Sequence, residues 1–387
     1  HYGECGGCQL QDTAYPRQLA EKAAQVEQTL ARLGGVSFEE TAEPVASPKQ
    51  RSYRNKMAFT FAGRGDDLAV GLHRRDDPRR VLDLAVCHLM DPRGVELLHE
   101  VREFCRASGV PSWTKGSRKG KGPTGYWRHL VLRRSEATGR WMVHVITAPE
   151  TANQSVANAL GEMLLAEHKD VASFVHSTRK AKNAVAEGER LMAAMGEPWL
   201  EERIGDVRYR IPANGFFQTN TLAAELLYAE AVAMAQLTGS ERVLDLYCGC
   251  GGLALQLAPH LTGKGAGVTG VEVVAEAVEA AVKNAELEGM DNAAFKKADL
   301  SDPRVIAELP AADVVVLDPP RQGLGEDGAR ALAAKGPERI VYVSCDPATL
   351  ARDAHVLAGA YTPRRLRAFD LFPHTAHVEA VALFTKK

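Results

Sequence analysis

From about residue 211 onward, four short apolar runs, at 242–246, 267–271, 313–317 and 339–343, are each followed by a stretch with helical spacing. Nothing else in the chain narrows the fold as far. Parallel strands need a crossover long enough to hold a helix, so this alternation predicts a parallel, doubly wound sheet. A last strand is expected near 378–384. The reading for 211–387 is therefore an α/β, Rossmann-like domain.

Residues 1–210 have a different texture. Leu19, Ala23, Val26, Leu30 and Leu33 recur at helical spacing over 16–33, and Gly34-Gly35 stops that helix. Residues 53–62, 68–73 and 128–146 read as strands and 92–107 and 154–167 as helices, an α+β domain with an antiparallel sheet. The helix at 16–33 is a candidate to dock on the second domain. A chain of 387 residues, 45% hydrophobic, is long enough for two or three cores.

Charge separates the halves weakly. Residues 1–210 carry 31 Lys and Arg against 27 Asp and Glu, and residues 211–387 carry 16 against 22. The first half is the better candidate to meet a polyanion. Seven cysteines without a secretory signal argue against a disulfide framework and for a reducing, cytoplasmic setting. No apolar run reaches the roughly 20 residues of a membrane span. The chain begins at His1 rather than Met, so residues are expected upstream.

The segment from Arg242 to Ala254 reads as strand, glycine-rich turn and helix start. Glycines let a backbone approach a ligand closely. Gly249, Gly251 and Ala254 also fit a dinucleotide fingerprint, and a plain turn is the third possibility. Asp245 discriminates: an acid before the glycines faces a pyrophosphate badly but suits the cationic, phosphate-free S-adenosylmethionine. Glu272 ends the next strand, where an acid can accept both ribose hydroxyls. Asp299 follows a third strand and could meet an adenine amino group.

Asp318-Pro319-Pro320-Arg321 follows an apolar run, and its prolines stiffen the turn at the sheet's carboxyl edge. Cys345 ends the next strand, ahead of a helix opened by Pro347. A thiol near a helix N-terminus is expected to have a lowered pKa. Glu379 opens the last strand, an acid amid Val, Ala, Leu and Phe. His374 and His377, in the loop before it, read as structural.

Together, Phe216-Phe217-Gln218, the Asp245–Gly252 loop, Asp318–Arg321, Ser344–Asp353 and Phe372–Glu379 resemble the uracil-5 RNA methyltransferase family, over essentially the whole chain. The resemblance implies Cys345 as nucleophile, Glu379 as general base, and Gln218, Tyr247, Glu272, Asp299 and Asp318 around the cofactor and the base. S-adenosylmethionine is the implied methyl donor. Gly252 departs from the pattern, since many members carry Asn there. Pro320-Arg321 stands where cytosine-5 enzymes carry a Pro-Cys turn, which favours uracil.

Cys5, Cys8 and Cys87 make an incomplete metal set. The family's iron–sulfur branch carries Cys-x5-Cys-x2-Cys plus one distant cysteine, so the resemblance implies a [4Fe–4S] cluster whose first ligand would fall two residues before His1. A zinc site or a redox pair are the alternatives. Cys105 reads as core. Between Pro111 and Ser135 there is no acid. Lys115, Arg118, Lys119, Lys121, Arg128, Arg133 and Arg134 alternate there with Trp113, Tyr126 and Trp127, as a surface that binds phosphate and stacks on bases would. Arg51, Arg54 and Lys56, and Arg74, Arg75, Arg79 and Arg80, are weaker candidates.

The expected partner is RNA: 23S ribosomal RNA ahead of transfer RNA, because no nucleic-acid-binding barrel precedes Cys5 and the cysteine pattern points the same way. The protein is expected to be monomeric. A nicotinamide-dependent dehydrogenase would leave Cys345 and Glu379 idle, and a non-catalytic RNA-binding protein would not need them.

Overall fold

The computed structural model describes residues 1–116, 122–150 and 152–387. The chain forms two compact units. One comprises residues 1–11, 49–202 and 211–214, and the other residues 12–48, 203–210 and 215–387. The division thus differs from a single boundary at 210/211: the segment holding the first helix belongs to the second unit.

The second unit is built on eight strands: β1 (Glu40–Val45), β2 (Arg242–Leu246), β3 (Gly267–Glu272), β4 (Ala293–Lys297), β5 (Val314–Leu317), β6 (Arg339–Ser344), β7 (Tyr361–Phe369) and β8 (Glu379–Lys386). Their order is β1-β7-β8-β6-β5-β2-β3-β4. Strands β4, β3, β2, β5 and β6 are mutually parallel, and β8 runs antiparallel between β6 and β7. All four residues of β5 are buried, as a strand covered on both faces requires. Strand order reverses at β2 and β5, the place where doubly wound sheets open a crevice.

The first helix, Tyr15–Thr29, runs into a π-helical turn, Leu30–Gly34, and Gly35 ends it in the left-handed region at φ 59°. Gly34 is buried against the helix Pro347–Leu357, and a Cβ there would stand 2.7 Å from the Ala351 carbonyl oxygen. Val26 and Leu30 join Tyr342, Leu350 and Phe384 in one core.

The first unit has a seven-stranded sheet: Val81–Asp83, Ala69–His73, Lys56–Ala62, Trp127–Arg134, Trp141–Thr147, Val171–Thr178 and Arg190–Gly196. It is antiparallel except for Trp141–Thr147 and Val171–Thr178, which run parallel with the helix Gln154–Glu167 as crossover. Trp127–Arg134 is central, and seven of its eight residues are buried.

That burial corrects the expected RNA surface. Tyr126 and Trp127 are 0% exposed and Arg128 and Arg133 2%. The strand is covered on both faces, so its aromatic side chains fill the core instead of offering a stacking platform. Trp113 and Arg134, both half-exposed, and Lys115, exposed, remain, with Arg134 paired to Asp91 and Glu136. Arg118, Lys119 and Lys121 lie outside the described residues. Arg74 pairs with Glu4 and Asp76, and Arg75 donates to the Cys8 carbonyl.

Candidate active site

The turn after β2 is shaped by backbone that only certain residues hold comfortably. Tyr247 sits at φ 65°, Gly249 at 54° and Gly251 at 89°. Asp245 is 1% exposed, and its Oδ2 accepts from the Ala254 amide at 2.8 Å. Its Oδ1 is buried with no hydrogen-bond partner among the described residues. Burial pushes its pKa well above the carboxylate range, and Asp318 and Glu272 add to the rise. A buried, unpaired carboxylate oxygen calls for a cation. The adjoining cleft is lined by Phe216, Phe217, Tyr228, Tyr247, Leu253 and Asp318. The lining holds acids and aromatic rings but no Lys or Arg, so it offers no side-chain cation to a pyrophosphate and suits a phosphate-free ligand.

Glu272 caps the end of β3. Its Oε1 accepts from the Val273 and Val274 amides at 2.8 and 2.9 Å, and its Oε2 from the Gly249 amide at 3.2 Å. Oε2, which accepts only one of these bonds, keeps a lone pair for a further donor. The β3–β4 register pairs Glu272 with Lys297, so exposed Asp299 lies two residues past the same edge. Its Oδ1 accepts from the Ser301 amide at 3.0 Å.

Gln218 donates to Asp318 Oδ2 at 3.0 Å. Burial raises the Asp318 pKa, and this hydrogen bond opposes the rise. Sequence reasoning missed Tyr228. It is 5% exposed, hydrogen-bonds Gln218, and crowds Gly252 so closely that a Cβ there would stand 2.7 Å from its hydroxyl. Gly252 is thus glycine because Tyr228 fills the space that a side chain would take.

The strand directions bring the reactive pair together. β6 ends at Ser344, paired with Ala380 of antiparallel β8. One step further along that register sets Cys345 opposite Glu379. Parallel β5 pairs Leu317 with Tyr342, so Asp318 stands at the same edge. Cys345 is half-buried and Glu379 is 4% exposed.

The expected low thiol pKa is corrected. Burial pushes Cys345 up to about 12, Glu379 and Asp318 push the same way, and Arg321 opposes them. The helix that should have lowered it is capped by Asp346, whose Oδ1 accepts from Ala348 and Thr349 at 2.9 and 3.3 Å. That carboxylate neutralises the positive helix end. Cys345 is therefore a thiol in the free protein. Glu379 is held well above the usual carboxylate range by burial and then Asp318, with Arg321 opposing.

The loop before Glu379 is clamped from the first helix of the same unit. Lys22 Nζ donates to Asp370 Oδ1 at 2.6 Å and to the Phe372 carbonyl at 3.0 Å. Gln18 Oε1 accepts from the His374 amide at 2.9 Å. His374, at φ 67°, is thus part of the scaffold. Arg321 and the His377 ring approach to 3.2 Å.

In the first unit Cys5 and Cys8 are buried and Cys87 half-buried. Burial raises the Cys8 pKa, and the neighbouring thiols Cys87 and Cys5 add to it. The three are close enough to sense one another. Even so, among the described residues no group of three or more His, Cys, Asp or Glu side chains is arranged to hold a metal ion. The donor set present does not by itself fit a cluster, and no chemical step below runs through one. Cys105 is 0% exposed, in the core. Among the described residues no helix is long and apolar enough to cross a membrane.

Residues 305–387 match the family described as tRNA (Uracil-5-)-methyltransferase, and residues 237–337 match a general methyltransferase domain. A protein of Nitratidesulfovibrio vulgaris named an uncharacterized RNA methyltransferase is 40% identical, over 100% of this chain and 82% of its own. One of the same name from Bacillus cereus is 35% identical, over 100% and 82%. The tRNA (uracil-54, C5)-methyltransferase of Pyrococcus abyssi, solved with S-adenosyl-L-homocysteine, superimposes with a TM-score of 0.77 at 29% identity, covering 98% of this chain and 86% of that one.

Proposed function

Because the chain belongs to the uracil-5 RNA methyltransferase family, we propose that this S-adenosylmethionine-dependent RNA methyltransferase acts on C5 of a uridine through a covalent Cys345–C6 adduct. The observation that carries this reading is the β6–β8 register, which continues to a thiol opposite a buried carboxyl, with both sensing Asp318, a residue that lines the cleft. When bound, S-adenosylmethionine supplies an electrophilic methyl group. Asp245, Tyr247, Glu272, Asp299, Gln218 and Asp318 are the residues proposed to hold it and the base. Cys345 gives its proton to solvent, its sulfur adds to C6 of uracil, and the C5–C6 double-bond electrons form an enolate over C5, C4 and O4 whose C5 can take the methyl group. Glu379 then removes the C5 proton, the electron pair restores the C5–C6 double bond, and the sulfur leaves. The buried setting raises the proton affinity of Glu379, as a base for a carbon acid needs. RNA carrying 5-fluorouridine tests the chemistry: fluorine cannot leave C5 as a proton does, so the protein should become covalently attached to RNA through Cys345. No attachment, with donor and RNA both bound, would rule the adduct out.

The proposed target is 23S ribosomal RNA, and the protein is proposed to act as a cytoplasmic monomer. A transfer RNA is the second reading, favoured by the name of the Pyrococcus abyssi neighbour. Mapping 5-methyluridine in total RNA with and without this gene decides between them. The iron–sulfur proposal rests on the mutual closeness of Cys5, Cys8 and Cys87, three of the four thiolates that a cubane takes. Protein purified without oxygen should contain about four irons per chain. One zinc and no iron would refute this.

A further inference from the structure

The first unit contains a cleft of about 270 Å³ that none of the roles above uses. Phe61, His73, Arg79, Trp113, Arg128 and Lys182 line it, and no acidic side chain does. Arg128 is 2% exposed, and its guanidinium carbon lies 4.0 Å from the centroid of the Trp113 ring. Its hydrogen bonds go to carbonyl oxygens: Arg179 at 2.6 Å, Ala181 at 2.9 Å and Asn183 at 3.1 Å. Its Nε is buried with no partner among the described residues. Carbonyl oxygens meet this buried cation directly, while Glu189 acts on it from outside the lining and the Arg179 charge opposes that effect, which leaves positive potential in the cleft. The same contact holds Trp113 in place while leaving it half-exposed. At the rim stand exposed Lys182 and exposed Arg79, which also pairs with Asp77.

A flat aromatic fixed by a cation, with lysine and arginine at the mouth and no acid in the lining, matches an unpaired nucleotide: a π-face to stack and a phosphate to neutralise. Resting on the reading of RNA as substrate, we infer that this cleft is a second nucleotide subsite, in which an unpaired base of the bound strand stacks on Trp113 and its phosphate meets Lys182 and Arg79. It takes over the stacking role that buried Trp127 cannot play.

The test uses the whole protein and a fluorescein-labelled 12-nucleotide single-stranded RNA, with anisotropy measured over a salt series. Trp113→Ala should weaken binding by about 5- to 150-fold, the worth of one stacked base, without changing the salt slope. Trp113→Phe should recover most of the loss. Lys182→Ala, on the exposed rim, should lower the salt slope by about 0.7. Wild-type affinity in both Trp113→Ala and Lys182→Ala would overturn the inference. So would a poly-glutamate peptide that displaces the RNA and depends equally on Trp113, since the occupant would then be protein. Wild type that binds this RNA through Trp113 but methylates no RNA would sink the proposed function and leave the subsite standing. Wild type that methylates RNA, with the RNA KM unchanged by Trp113→Ala, would sink the subsite alone.

Discussion

Lys22→Met tests the clamp that holds the loop before Glu379. Lys22 and Asp370 form an ion pair at 2.6 Å with side chains 2% and 0% exposed. Methionine keeps the length and removes the charge. Asp370 Oδ1 would keep the Phe372 amide at 3.0 Å, but its Oδ2 already has no partner among the described residues. An uncompensated buried carboxylate would be left. Removing one partner of a buried pair costs about 3–5 kcal/mol. For a unit of this size, about 2–4 °C per kcal/mol places the fall in melting temperature at about 6–20 °C. Calorimetric unfolding of the single variant and of Lys22→Met/Asp370→Asn measures it. The double variant, with no buried charge, should lose clearly less than the single one. A single-variant loss under about 1 kcal/mol, or a double variant worse than the single, would refute the argument that buried charge makes this contact costly to break.

Two further predictions concern the cleft. With the thiol pushed up to about 12, Cys345 is almost wholly protonated at neutral pH, and its thiolate fraction rises tenfold per pH unit. Alkylation of the Cys345 peptide by iodoacetamide, followed by mass spectrometry, should therefore climb about tenfold per unit from pH 7 to 9, and a plateau below pH 8 would contradict the raised value. Gly252→Ala sets a methyl group 2.7 Å from the Tyr228 hydroxyl, so S-adenosylhomocysteine should bind about tenfold more weakly by titration calorimetry, in line with a 1–3 kcal/mol overpacking cost. Adding Tyr228→Phe should restore affinity, and equal binding by Gly252→Ala and wild type would show that the two side chains do not compete for that space.

How much was legible in the sequence follows from how each element is buried. Strands β2, β3, β5 and β6 read out directly, because strands covered on both faces are continuous apolar runs. Strand β7 did not. It carries Pro363, Arg364, Arg365 and Arg367, with an irregularity between Pro363 and Arg365, and its charges are met by Glu39, Glu40 and Glu230. Those partners lie more than 100 residues away and leave no local signal. Trp127 and Arg128 misled for the converse reason: a basic, aromatic segment looks like an interface until its charge is seen to end on buried carbonyls. The placement of Cys345 at a strand-to-helix turn was readable, but its pKa was not. The Asp346 that marks the helix start also neutralises its positive end, and Glu379 approaches from a strand 34 residues on. The Gln18 and Lys22 contacts join parts of the chain about 350 residues apart, which no periodicity announces.

Attack of Cys345 on a uracil ring, proposed to open C5 to the methyl group, can be followed with an isotope. The most direct measurement supplies a trideuteromethyl-labelled donor and unmodified RNA to wild type, Cys345→Ala and Glu379→Gln, then digests the RNA and the protein for mass spectrometry. Wild type should yield labelled 5-methyluridine. Cys345→Ala should yield none while binding the donor normally. Glu379→Gln should accumulate a labelled nucleotide covalently attached at Cys345. Label on any other nucleoside, or labelled 5-methyluridine made by Cys345→Ala, would contradict the account.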